Sequence, residues 1–287
     1  MLSVKIQCPA KINLTLKVLG KRPDGFHDIE SVMQTISLYD YLTISVEPSD
    51  ILQIELSGNN NEIPYNEKNL VYKAAKLFFE ELVILPRPLR ERVEFANEQS
   101  EFTNSGEGFK ISIYIEKNIP VAAGLAGGST DAAGTLFGLN EIFKKPFSQE
   151  KLHELCAKLG SDLNVCLMGG RVLSKGRGEI VEPLEFEPFN LSLIKPENLG
   201  ISAKEAYQKF AQKEKNSERN QYVNDLEWAI IDDYKELQEI KSKYPSAVMS
   251  GSGSTYYMID EAFSNQKGYW ISNNLSAVEF GVAVYNH

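Results

Sequence analysis

The sequence predicts an α+β protein of two domains, 1–184 and 185–287, and three observations carry that expectation. Residues 2–8 and 12–18 alternate apolar and polar side chains with the period of half-buried strands, and 34–46 and 52–56 are rich in strand formers. A strand, a glycine-rich turn and a mostly apolar helix then follow one another between 110 and 142. The last hundred residues read as βα-ββ-αβ, the order of a two-layer sandwich of helices on a sheet.

Residues 2–8 and 12–18 (INLTLKV) read as strands, GKRPDG at 20–25 as a turn, and 34–46 and 52–56 as further strands rich in Ile, Leu, Tyr, Thr and Val. Asn69 is placed to cap a helix in which Leu70, Ala74, Leu77 and Phe78 share one face, ending near Val83. Residues 84–108, with two prolines, many charges and no period, read as a long surface loop. KISIYIE at 110–116 is a strand, AAGTLFGLNEIF continues as a helix, and a second helix is expected at 149–159. A hairpin at 169–184 turns at KGRG. Beyond it come a strand at 190–195, helices at 202–213 and 224–241, strands at 246–249 and 255–260, a helix at 263–274 and a last strand at 278–285.

With 43% hydrophobic and 24% charged residues, the 287-residue chain has the composition of an ordinary globular protein. Thirty Lys and Arg against 39 Asp and Glu give a net charge of −9, which argues against a general nucleic-acid or anionic-membrane surface. No apolar run approaches the roughly 20 residues of a membrane span. Cys8, Cys156 and Cys166 form no CxxC pair, so neither a disulfide framework nor a zinc site is expected. Met1 leads at once into a strand, with no secretory or transit leader, and the expected setting is the cytoplasm or, for a mature organellar protein, the stroma.

The strongest local signal is PVAAGLAGGSTD at 120–131, three glycines and a hydroxyl pair directly before a helix. Glycines let backbone N–H groups approach a ligand, and a helix start favours an anion, so the turn suits phosphate. It matches neither GxxxxGK[ST] nor GxGxxG. Read alone, its lesser alternative is a glycine-rich turn with Ser129 as a mere helix cap. Two further segments, PAKIN at 9–13 and MSGSGST at 249–255, are by themselves an exposed strand lysine and a flexible turn.

Together and in this order the three segments resemble the three motifs of the GHMP kinase superfamily. RPDGFHDIESVMQ at 22–34, LGSDLNVCL at 159–167, KGRGE at 175–179 and NDLE at 224–227 narrow the resemblance to the 4-diphosphocytidyl-2-C-methyl-D-erythritol kinase family. The resemblance implies a two-domain GHMP kinase fold, with an N-terminal domain like the second domain of ribosomal protein S5 and a ferredoxin-like C-terminal domain. It also implies ATP-dependent phosphorylation of the 2-hydroxyl of 4-diphosphocytidyl-2-C-methyl-D-erythritol, a small-molecule substrate of the non-mevalonate isoprenoid route. The expected assembly is a monomer or weak homodimer.

Carried onto this chain, the resemblance makes Lys11 and Asp162 the catalytic pair. A tertiary alcohol is too weak an acid to ionise unaided, but in a loose phosphoryl-transfer transition state its proton is accepted late, so a well-placed carboxylate serves as base. Lys11 would counter charge on the attacking oxygen and the transferred group. Without the family, Asp162 reads as a helix cap after Gly160. The resemblance places the ATP phosphates over Pro120, Gly124, Leu125, Ala126, Gly127, Gly128, Ser129 and Thr130, with Ser129 a ligand of Mg²⁺. Asn69 and Lys117 match residues near the adenine, although a cap and a solvated lysine are the plainer readings. Phe26 supplies a stacking face for cytosine where the family usually has Tyr, His27 an edge contact, and Asn13 a contact to the methylerythritol or its diphosphate. Asn164 and Val165 stand where the family usually has Pro and an aromatic. Another GHMP kinase of small alcohols, or a nucleotide-binding regulator without catalysis, remains the alternative.

Overall fold

The computed structural model describes residues 1–84, 108–213 and 217–285. The long loop expected at 84–108 lies almost wholly outside them. The first sheet is organised on one strand, β3 (His27–Ser49), whose 23 residues have neighbours along both edges. One edge carries β2 (Lys17–Lys21) and then β1 (Leu2–Asn13); the other carries β6 (Arg171–Gly176) and then β5 (Gly108–Glu116). The parallel strand β4 (Gln53–Gly58) lies outside β5, and β7 (Ile180–Pro183) outside β6.

The sequence splits 2–8 from 12–18 at Pro9, whereas β1 runs unbroken through it. Pairing shifts between Pro9, opposite Tyr39, and Ala10, opposite Ile36. This bulge absorbs the proline, which has no N–H for the ladder, and Lys11 stands just beyond the resulting kink.

Three helices cover one face of this sheet: α1 (Leu70–Ile84), α2 (Gly127–Ile142) and α3 (Gln149–Leu159), with the short α4 (Leu163–Met168) after them. Ile6, Leu42, Ile44, Ile111 and Ile113 meet Phe78, Leu136 and Leu139 in a core shielded from water, each fully buried side chain contributing roughly 1.5–3 kcal/mol. Helix α2 sits close because a Cβ on Gly134 would come within 2.4 Å of Cys8 Sγ, and one on Gly138 within 2.6 Å of Ile44 Cδ1.

The second sheet contains β8 (Asn190–Pro196), β9 (Val248–Met249), β10 (Tyr256–Ile259) and β11 (Tyr269–Ser276), in the order β11-β8-β10-β9 and antiparallel throughout. Numbered from β8, that is the 4-1-3-2 order of a ferredoxin-like sheet. Between β8 and β9 lie α5 (Ala203–Gln212), a 3₁₀ turn at Ser217–Gln221, α6 (Asp225–Ile230) and α7 (Lys235–Lys243). The helix expected at 224–241 is thus divided, by a 3₁₀ turn at Ile231–Asp233.

The helix expected at 263–274 is not formed; that stretch leads into β11. Asn273 accepts from Phe263 N and donates to Phe263 O, satisfying that backbone as a helix otherwise would. A bulge between Ser272 and Leu275, with Asn274 at φ 62°, breaks the alternation that marks a strand. Of the last strand, only Ala283–Val284 pairs, as β12, and it pairs with β1 in the first sheet. A second core, around Trp228, Tyr256, Ile194 and Phe210, takes in Leu16, Val18, Ile29 and Met33 from the N-terminal strands. No helix among the described residues is long and apolar enough to cross a membrane.

Candidate active site

A cleft of about 910 Å³ opens between the sheets, lined by Lys11, Asn13, Phe26, His27, Asp162 and Tyr207, by all of 120–129, and by Gly251 and Ser252. The three motifs meet in it through backbone contacts. Lys11 N donates to Leu125 O at 3.1 Å, pinning the glycine turn to β1, and Thr255 N donates to Ala123 O at 3.3 Å. Ser250 Oγ donates to Gly124 O at 3.0 Å. A Cβ on Gly124 would lie 2.1 Å from Ser250 O, so glycine is what lets the two loops close on each other. Asn224, the first residue of NDLE, holds the second loop by donating to Met249 O at 2.7 Å and Gly251 O at 2.8 Å. Its neighbour Asp225 accepts from Val18 N at 2.7 Å, tying α6 back to the first sheet.

Helix α2 starts from Ala126, a left-handed residue (φ 59°) with no side-chain cap, so the reading of Ser129 as a cap does not hold. The first N–H groups of a helix lack intrahelical partners and carry the positive end of its dipole. Here they open the helix at Gly127, Gly128 and Ser129, all on the cleft. A Cβ on Gly128 would meet only Leu70 Cδ1, at 4.0 Å, leaving room for an anion above it. Gly127 is different: a Cβ there would lie 2.6 Å from Lys117 Nζ. Thr130, expected to contact phosphate, is fully buried and does not line the cleft. One residue on from Ser129 turns its side chain about 100° round the helix, into the core.

Lys11 Nζ donates to Asn13 Oδ1 at 2.6 Å and Gly124 O at 3.0 Å, and stands 3.5 Å from Asp162 Oδ2. The lysine side chain is 3% exposed and that of Asp162 31%. Asp162 heads α4 yet makes no capping bond, so its carboxylate is left for the cleft and for Lys11. Asn13 donates in turn to Ser31 Oγ at 2.8 Å; both ends of its amide are engaged within the protein, where it orients Lys11. Asn164 and Val165 fit inside α4. Asn164 donates to Glu179 O at 2.7 Å and lies 3.2 Å from His153 Nδ1, anchoring the helix to the β6–β7 hairpin and to α3, and Val165 is buried in the second core.

Asn69 lines the cleft, but its side chain caps α1 by accepting from Val71 N at 3.0 Å, and its amide nitrogen donates to Pro64 O at 2.7 Å. Lys117 borders the cleft but is not a solvated lysine. Its ammonium is buried, bonded to Asp40 and, at 3.0 Å, to Asp131 Oδ2. Burial opposes that charge, but Asp131 and Asp40 outweigh it and raise the lysine's pKa. Burial, opposed by Lys117, pushes the Asp131 carboxyl up to about 7. Asp131 is therefore a buried member of this ion cluster.

At the far end of the cleft Phe26 is 51% exposed, with the Arg177 guanidinium 5.0 Å from its ring centroid. His27 stacks on Tyr207, centroids 5.1 Å apart and planes within 13°. Tyr207 and Arg177 as cleft residues escape sequence reading: Tyr207 is one apolar position of the amphipathic α5, and Arg177 lies in a turn whose glycines, Gly176 (φ 69°) and Gly178 (φ 117°), are the more legible feature.

The profile of the family described as GHMP kinases N terminal domain matches residues 69–170. The chain is 38% identical to a 4-diphosphocytidyl-2-C-methyl-D-erythritol kinase of Lachnoclostridium phytofermentans, over 92% of this chain and 89% of that one. It is 37% identical to the protein of the same name from Clostridium tetani, over 88% and 90%. Among solved structures, a 4-(cytidine 5'-diphospho)-2C-methyl-D-erythritol kinase superposes with a TM-score of 0.67 at 24% identity, covering 96% of this chain and 99% of that one. A mevalonate kinase superposes with a TM-score of 0.61 at 14% identity, covering 97% and 100%, and so shares the fold. By its sequence, its sheet order and its three converging motifs, the chain belongs to the 4-diphosphocytidyl-2-C-methyl-D-erythritol kinase family of the GHMP kinases.

Proposed function

We propose that this protein transfers the γ-phosphoryl group of ATP to the 2-hydroxyl of 4-diphosphocytidyl-2-C-methyl-D-erythritol, giving the 2-phosphate and ADP. The observation that carries the reading is the Lys11–Asp162 pair at 3.5 Å, set between an open helix N-terminus and an aromatic cleft end. The ATP phosphates rest on the N–H groups at the head of α2, above Gly128, with the adenine toward the start of α1. Asp162 accepts the hydroxyl proton as the P–O bond forms, and Lys11, fixed by Asn13 and Gly124 O, counters the negative charge between acceptor and phosphate.

Mg²⁺ suits this cleft as an ion carried in by the nucleotide. No cluster of three or more His, Cys, Asp or Glu able to hold a metal occurs among the described residues, and the Ser129 hydroxyl on the first turn of α2 is a hard oxygen donor of the kind Mg²⁺ accepts beside phosphate. When bound, the ion neutralises charge on the β- and γ-phosphates.

Phe26 offers the cytosine a ring face and His27, braced on Tyr207, an edge contact. An alcohol without a nucleotide makes no use of that end, which sets this reading apart from kinases of simple alcohols. Coupled ADP release with the cytidine substrate, mevalonate and homoserine tests it. Turnover with the cytidine substrate alone is expected; equal turnover with the simple alcohols contradicts the assignment.

A further inference from the structure

The buried charges behind the glycine turn have no part in the chemistry above. Asp40, on β3, is fully buried, and its Oδ1 accepts from the backbone N–H groups of Asn118 at 2.6 Å and Ile119 at 2.8 Å. Its other oxygen takes the Lys117 ammonium, which also donates to Asp131 at 3.0 Å. Lys117 is tied at its own backbone as well, through a 2.7 Å bond from its N–H to Asn59 Oδ1. Asn118 and Ile119 directly precede Pro120, where the turn begins. Asp131 lies in α2, just after the turn ends. The cluster therefore grips both flanks of the turn and fastens them to the strand that organises the first sheet. Its cation also sits beneath the turn, where a Cβ on Gly127 would lie 2.6 Å from Lys117 Nζ and 3.1 Å from Ile119 Cγ2.

Three charges in a dry interior are a poor source of stability, because removing them from water costs about as much as their attraction returns, and well-packed apolar residues do as well or better. What directional bonds supply and apolar packing does not is a fixed position for the groups they hold. We propose that Asp40, Lys117 and Asp131 form a positioning brace that sets the N–H groups at the head of α2 for the ATP phosphates. The proposal rests on the phosphates binding at that turn.

Asp131→Leu cuts the link to α2 and leaves the balanced Lys117–Asp40 pair, whereas Asp131→Asn keeps a side-chain oxygen for the ammonium. Binding of ADP and of adenosine to the purified protein is measured by calorimetry for both variants and for Gly128→Val. Asp131→Leu is expected to weaken ADP about tenfold while adenosine moves less than about twofold and Asp131→Asn stays near the parent. Equal losses for ADP and adenosine, or unchanged ADP affinity in Asp131→Leu while Gly128→Val loses ADP, overturn the brace and leave the phosphate turn standing. Unchanged ADP affinity in Gly128→Val overturns the turn assignment, and the brace with it. If Asp131→Leu does not fold, Lys117→Met combined with Asp131→Asn, which removes one charge of each sign, takes its place with the same expected and contrary results.

Discussion

Lys11 and Lys117 are both buried lysines within reach of an aspartate, and both sit against the same glycine turn, one on either side. Around Lys117 both acids are buried with it, with Lys117 and Asp131 only bordering the cleft floor, and Asp40 also bonds two backbone N–H groups. Around Lys11 one partner is open. Asp162 is about one-third exposed, makes no cap and approaches to 3.5 Å, while the neutral oxygens of Asn13 and Gly124 fix the ammonium. The same two residue types thus give an anchored cation with an accessible carboxylate in one place and a closed ion cluster in the other. Accessibility of the acid, more than the pairing itself, separates a site able to exchange a proton with a ligand from one that holds backbone in place.

The sharpest way to break this comparison is to neutralise each site. Asp162→Asn keeps the shape but removes the proposed proton acceptor, and turnover is expected to fall about 10²–10⁴-fold with little change in ATP affinity. Lys117→Met leaves two buried carboxylates facing each other without a cation, and urea unfolding is expected to report a loss of about 3–5 kcal/mol. Lys11→Met, which strands the Asn13 amide oxygen while Gly124 O keeps its bond from Ser250 Oγ, is expected to cost about 1–3 kcal/mol in the same experiment. The reverse order of those two losses would dissolve the distinction.

Adjacent glycines sharpen it further. Gly128→Val places its side chain in the open cleft, and ADP affinity is expected to fall about tenfold or more with the fold intact. Gly127→Val drives a side chain into Lys117 and Ile119, and the expected effect is overpacking, about 1–3 kcal/mol of lost stability in a thermal melt. The cytidine end is expected to give effects of the same size. Phe26→Ala is expected to weaken the cytidine substrate by about 1–3 kcal/mol in a direct binding titration, and Phe26→Tyr to leave it near the parent value.

The open site was legible in the sequence and the closed one was not. Glycine turns and the segments around Lys11 and Asp162 carry chemistry in contiguous residues, so PAKIN, GLAGGSTD and GSD can be read as short strings. Asp40 lies 77 residues before Lys117 and Asp131 lies 14 after it, and each looks ordinary where it stands: an acid within a strand, a solvated lysine, an acid in the first turn of a helix. The pairing of β3 with β5 brings Asp40 to Lys117, and α2 brings Asp131 to the pair. Thr130 was misplaced for a related reason, since a string does not say which way each residue of a helix faces. In the second sheet β8, β9 and β10 were legible as strands, but β11 was hidden because its bulge at Ser272–Leu275 disrupts the alternation on which a strand is recognised.

The claim that Lys11 and Asp162 act as one unit in phosphoryl transfer is tested most directly by the turnover of Lys11→Met, Asp162→Asn and the double variant, each shown to be folded, with the cytidine substrate and ATP saturating. If the pair serves one step, the double variant is scarcely slower than the slower single variant, because either loss already disables that step. Losses that multiply in the double variant, or an Asp162→Asn enzyme with near-normal turnover, would contradict it.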